Sequence, residues 1–213
     1  MTLVAASFGW PFRGAWPSRF LLGVLMVLVL PIAFIPLLGY AIAATRAAES
    51  DPGQSPPPWR WSGRLLVDGF WTALAILLLS APFIAALNPV AGVIGSALSQ
   101  PFSEIATVFL LALPWGLLLL LLMPHGASRY AASGRPLDLF DFAASLRGVK
   151  RDFPVWNVVA AAMVTAWILA IACVGLLCVG ILPGTFYAIL VSAHAAATLH
   201  QTTGPARTDP PAG

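Results

Sequence analysis

The chain has 213 residues, of which 59% are hydrophobic and only 9% charged, whereas soluble domains run near 45–50% apolar and about 25% charged. With a mean hydropathy of +0.88, that much apolar surface does not fit inside a water-soluble domain of this length, which excludes a soluble enzyme and a disordered chain. The net charge of +3 rests on eleven Lys and Arg spread over the whole chain, too sparse for a nucleic-acid surface, so no nucleic-acid partner is expected.

A spanning helix needs about 20 mostly apolar residues to cross roughly 30 Å of hydrocarbon. The charge-free intervals therefore set the expected elements. The first, residues 20–45 between Arg19 and Arg46, holds 26 uncharged residues but contains Pro31, Pro36 and Gly39. Pro removes a helical hydrogen bond, so this segment must at least kink. Either it is one kinked crossing or it is a re-entrant hairpin of two short arms. The length favours a single tilted crossing, because two arms would expose backbone at membrane depth. A cleavable signal peptide is a third reading, but the apolar core exceeds the 7–15 residues expected of one.

The linker 49–58 (ESDPGQSPPP) is extended by its Pro run. Four further spans are expected, over 66–88, 104–123, 154–177 and 181–200. The last two are separated by Gly180, Pro183 and Gly184. Residues 1–200 thus read as one membrane domain, and the polar tail 201–213 as disordered.

Between the second and third of these spans, residues 137–152 read as an amphipathic helix lying at the interface. Leu139, Phe142, Ala143, Leu146 and Val149 fall at helical spacing, and Asp138 is placed to cap the start. Trp10, Trp16, Trp59, Trp61 and Trp156 flank the spans as an expected aromatic belt.

Lys and Arg in short loops favour the cytoplasmic side. The basic loops 45–64 and 124–154 are therefore expected in the cytoplasm of a multi-pass cell-membrane protein. A crossing by the first segment puts nine cations inside and two outside. A re-entrant hairpin puts all eleven inside.

Several short motifs resemble a known family: Pro11-Phe12-Arg13, then Pro36-Leu37-Leu38-Gly39-Tyr40, Arg46, Pro58-Trp59, Asp68-Gly69 and Pro82, followed by Arg129-Tyr130-Ala131 and Leu139 to Phe142. Together they resemble domain of unknown function 4013, an uncharacterised family of archaeal and bacterial multi-pass membrane proteins. The resemblance implies a polytopic, all-α membrane bundle and supplies no activity or catalytic residues.

Chemistry is sparse in the sequence. The only lysine is Lys150, so no P-loop exists, and there is no H-E-x-x-H motif. Cys173 and Cys178 read as apolar packing, and no cofactor or metal is expected. None of the eight acids falls at the centre of a predicted span, where ion-coupled transporters and pumps keep theirs. Two polar residues remain as candidates. Asp68 can pair with Arg64 one turn earlier. His194 is expected to bond a neighbouring helix.

Packing is the stronger signal. Ala162, Ala166 and Ala170 make one small-residue ridge, and Ala188, Ser192 and Ala196 another. Such ridges let helices approach closely in lipid. They predict a tight hairpin of the last two helices or a homodimer face. The expectation is a non-catalytic subunit, scaffold or accessory factor in the bilayer, with a membrane-protein partner or a second copy. A permease or lipid-handling protein is the alternative.

Overall fold

The first apolar segment is a helical hairpin. In the structure, a computed structural model that describes residues 2–175 and 180–203, a short amino-terminal arm beginning with α1 (Thr2–Ala5) leads into α2 (Trp16–Leu28) and α3 (Leu30–Ser50). The break falls at Val29. Phe186 settles the direction of the arms: its ring fills the notch above Gly23 of α2 and lies 5.9 Å from the ring of Tyr40 of α3. On one continuous helix those two positions would stand about 25 Å apart. The single kinked crossing favoured from length is therefore replaced by the hairpin. Its backbone is not left bare, because each arm is internally bonded and the turn bonds itself. The N–H of Val29 donates to the Leu25 carbonyl, and those of Ile32 and Ala33 donate to Val29. Pro31 sits in the first turn of α3, where its missing N–H costs nothing.

The chain continues through α4 (Gly63–Ala97), α5 (Phe102–Ser133), α6 (Leu137–Phe140), α7 (Phe142–Arg151), α8 (Phe153–Ala172) and α9 (Ile181–Thr203). Among the described residues every regular element is helical. Five helices, α3, α4, α5, α8 and α9, are long and apolar enough to cross a membrane.

Several boundaries differ from expectation. α4 and α5 outrun 66–88 and 104–123: α4 runs on through Pro89 to Ala97 and α5 through Pro124 to Ser133, with Pro82 and Pro114 also carried inside the helices. At about 52 Å and 48 Å both exceed the hydrocarbon thickness. α8 ends at Ala172 rather than 177, and a 3-10 turn follows at Cys173–Gly175. Residues 201–203, placed in the tail, continue α9. Cys178 and residues 204–213 lie outside the described residues.

The interfacial helix is split in two at Asp141. That residue, not Asp138, caps α7, its carboxylate accepting the N–H of Ala144 at 2.9 Å. This bond is the first reason its carboxyl is held below the ordinary range. Asp138 instead pairs with Arg129 at 3.0 Å. The buried side of α7 carries Ser145 and Val149, while Leu146 is exposed.

The cations among the described residues gather at one end of the bundle. Arg13 and Arg19 donate to the connector after α3, and Arg46 and Arg64 flank Asp68. Arg129 holds the α6–α7 segment, and Lys150 and Arg151 close α7. At the opposite end the hairpin tip, residues 98–101 and the described part of the α8–α9 turn carry no Lys or Arg.

The aromatic belt is only partly that. Trp16 and Trp61 are exposed, but Trp10 is fully buried and donates to the Gln54 carbonyl at 2.6 Å. Trp59 is stacked on Tyr40, with ring centres 4.0 Å apart.

Candidate functional site

A polar cluster forms where α3, α4 and the end of α5 meet at the cationic end. It exists because two glycines let two backbones touch. A Cβ on Gly39 of α3 would collide with the Leu65 carbonyl of α4, and a Cβ on Gly69 with the Ile35 carbonyl of α3. The paired contacts, 39 with 65 and 35 with 69, show the helices crossing in opposite directions. The crossing buries Asp68, the residue before Gly69, to 4% exposure.

A carboxylate taken out of water needs partners, and Asp68 has them. Oδ1 accepts the Tyr130 hydroxyl at 2.6 Å. Oδ2 accepts both Nη groups of Arg46 at 3.2 Å. The Arg46 Nε donates in turn to the Ala131 carbonyl at 3.0 Å. Arg64, the partner expected from spacing, stands at 3.9 Å and is largely exposed. Sequence spacing thus located the outer partner and missed the two inner ones.

The connector closes the cluster from above. The Tyr40 hydroxyl donates to the Pro57 carbonyl at 2.9 Å, and Trp59 donates to the Arg19 carbonyl at 3.2 Å. Beneath Pro57 and Pro58 lies a cavity of about 390 Å³, lined by Tyr40, Arg46, Arg60, Arg64 and Asp68 among others.

His194 is placed away from this cluster and its partners are not membrane helices. Its Nδ1 lies 2.8 Å from the Ser7 hydroxyl, and Nε2 lies 3.4 Å from the Pro52 carbonyl. The Trp10 ring packs against it at 5.0 Å. The buried imidazole therefore ties α9 to the amino-terminal arm and the connector.

The small-residue positions lie along the antiparallel pair α8 and α9. Ala162 and Ala196 are buried in one cluster with Val159, Ala195 and Leu199. Ala166, Ala170 and Ala188 are buried in another with Val191. Ser192 is half-buried. Gly184, read from sequence as a helix break, lies within α9, and a Cβ there would press on the Ala170 backbone at 2.8 Å. Replacing Ala166 by Leu puts three more carbons where Ala188 and Val191 sit, and such overpacking costs about 1–3 kcal/mol. Ala166→Leu is expected to lower the thermal midpoint in detergent, with Ser192→Leu lowering it less. An unchanged midpoint for Ala166→Leu would mean that this seam is not tightly packed.

The fold and this charged knot define a multi-pass helical membrane protein. The chain matches, over residues 22–183, the family described as "Protein of unknown function (DUF4013)", and it belongs to that family. No curated protein and no solved structure matches it. Several of the short motifs that carry the family resemblance are separate in sequence but meet in the knot. Gly39 lies on Gly69, Tyr40 on Trp59, Arg46 on Asp68, and Tyr130 on Asp68.

Proposed function

We propose that this protein is a non-catalytic subunit, scaffold or accessory factor of the cell membrane that acts through helix packing. The observation that carries the reading is the far half of the α4–α5 hairpin. Between Leu79 and Ser103, and between Thr107 and Leu122, no residue is buried. Yet this stretch exposes Ile84, Leu87, Val93, Phe109, Leu113 and Leu117. Apolar helix surface with no partner in its own chain serves lipid or another membrane helix.

The Asp68 cluster supports the same reading. Both carboxylate oxygens are bonded, which suits a structural tie better than a proton or ion relay. Native-membrane co-purification with chemical cross-linking from cysteines placed at 84, 87, 109 and 113 tests the proposal. Cross-links to a specific membrane protein, or to a second copy, are expected. A strictly monomeric protein that recovers no partner would overturn it.

The cationic end is proposed to face the cytoplasm, following the bias of Lys and Arg toward that side. Single cysteines at 53, 135 and 147 should all resist membrane-impermeant reagent applied to intact cells, whereas one at 99 should react. Labelling of 53 with protection of 135 would contradict the common face. The permease or lipid-handling reading is favoured by the arginine-lined cavity beside Asp68, and a substrate-dependent flux in proteoliposomes would establish it.

A further inference from the structure

Three arginines line the cavity beside Asp68, and Asp68 answers only one of them closely. Arg46 is committed to the carboxylate. Arg64 stands off at 3.9 Å with its side chain 65% exposed. Arg60 is exposed and has no ion pair among the described residues. Among the residues lining this space of about 390 Å³, three guanidiniums face one carboxylate, and the other acid near them, Glu49, stands against Arg46, so Arg60 and Arg64 remain the cations in excess.

The helix start adds to this field. α4 begins at Gly63, above whose Cα the space is open, and Ser62 caps only the Leu65 N–H. The first amides of a helix have no partner within it and carry the positive end of the dipole. Guanidinium groups offer a planar fork matched to phosphate oxygens. The exposed Trp61 beside Arg60 marks the level at which amphipathic rings meet lipid headgroups.

We infer that this cavity is a binding site for a phosphate group, held by Arg60 and Arg64 at the head of α4 with Arg46 behind them. Its source is either the headgroup of an anionic phospholipid or free phosphate. The inference is independent of whether the protein is a scaffold, since it concerns only the chemistry of this cavity. Tyr40 and Pro57 also line the cavity, the Pro57 carbonyl being engaged by the Tyr40 hydroxyl. Asp68 holds Arg46 and the Tyr130 hydroxyl closely and Arg64 only at 3.9 Å, so Arg60 and Arg64 are the guanidiniums left to meet a phosphate.

The test uses the full chain purified in mild detergent. Short-chain phosphatidylglycerol and phosphatidylcholine are offered in equal amounts, and the retained lipid is counted by native mass spectrometry. The parent should retain phosphatidylglycerol preferentially. The double variant Arg60→Gln with Arg64→Gln should lose that retention at least tenfold. Both side chains are exposed, so the fold is kept, which circular dichroism verifies. Arg147→Gln with Lys150→Gln removes the same charge from α7 and should leave retention as in the parent.

In a parallel arm, millimolar inorganic phosphate is added. If it displaces the lipid and raises the thermal midpoint of the parent but not of the double variant, the ligand is free phosphate. If it does neither while the lipid is retained, the ligand is the headgroup. Equal retention of both lipids without any phosphate effect would overturn the inference. So would an equal loss in the α7 control, which would trace binding to diffuse surface charge.

Discussion

Gly39→Ala and Gly69→Ala are each expected to destabilise the protein by about 3 kcal/mol, at or beyond the upper end of ordinary overpacking. The reason is what the new methyl would meet. At both positions the obstacle is a backbone carbonyl of the facing helix, which cannot rotate aside as a side chain can. Relief requires α3 and α4 to separate. That separation would loosen the Arg46 contact to Asp68 and the Tyr40 stack on Trp59, since both hang from the same crossing. Gly92→Ala and Gly95→Ala are the controls. Both lie in the same helix with open space around them, and replacing an interior helical Gly by Ala gains roughly 0.5–1 kcal/mol. Opposite signs for the two pairs, read as thermal midpoints in one detergent, would establish the close crossing. Equal behaviour would show that α3 and α4 do not touch there.

What the sequence made legible follows from which forces are local. The membrane class was legible because desolvation of charge is a property of each residue, and the charge-free intervals record it directly. Whether Arg13 and Arg19 lie at the same end as the other cations was legible only as a pair of alternatives. Pro31 and Pro36 report where a helix is disturbed, but not whether the chain turns back, which depends on Phe186 of α9 filling the notch at Gly23. The pairing of Arg64 with Asp68 was legible because it lies within one helical turn. The stronger partners were not, since Arg46 and Tyr130 reach Asp68 from 22 and 62 residues away. The lengths of α4 and α5 were underestimated because the ends were set where the continuous apolar run stops, whereas both helices run on past it through Pro89 and Pro124. Inside a long apolar helix a Pro costs one bond and the helix continues.

The second large effect is expected at Asp68 itself. Asp68→Ala removes the acceptor for the Tyr130 hydroxyl and for both Arg46 Nη groups. A half-buried guanidinium is then left with the Ala131 carbonyl and the neighbouring Glu49. Removing one partner of a buried pair costs about 3–5 kcal/mol, and the 28% exposure of the Arg46 side chain lets water recover part of that. A loss of about 2–3 kcal/mol is therefore expected for Asp68→Ala. Asp68→Asn should lose less, because the amide oxygen still accepts. Arg46→Ala should also cost less than Asp68→Ala, because Arg64 is already 3.9 Å from the carboxylate and can close in. Arg64→Ala alone should cost less than about 1 kcal/mol, as exposed pairs do. A double-mutant cycle on Arg46 and Asp68 separates their coupling from the loss of packing. A coupling near zero, or an Arg64→Ala variant as damaged as Arg46→Ala, would move the weight of the cluster from the tie between helices to the one-turn pair on α4.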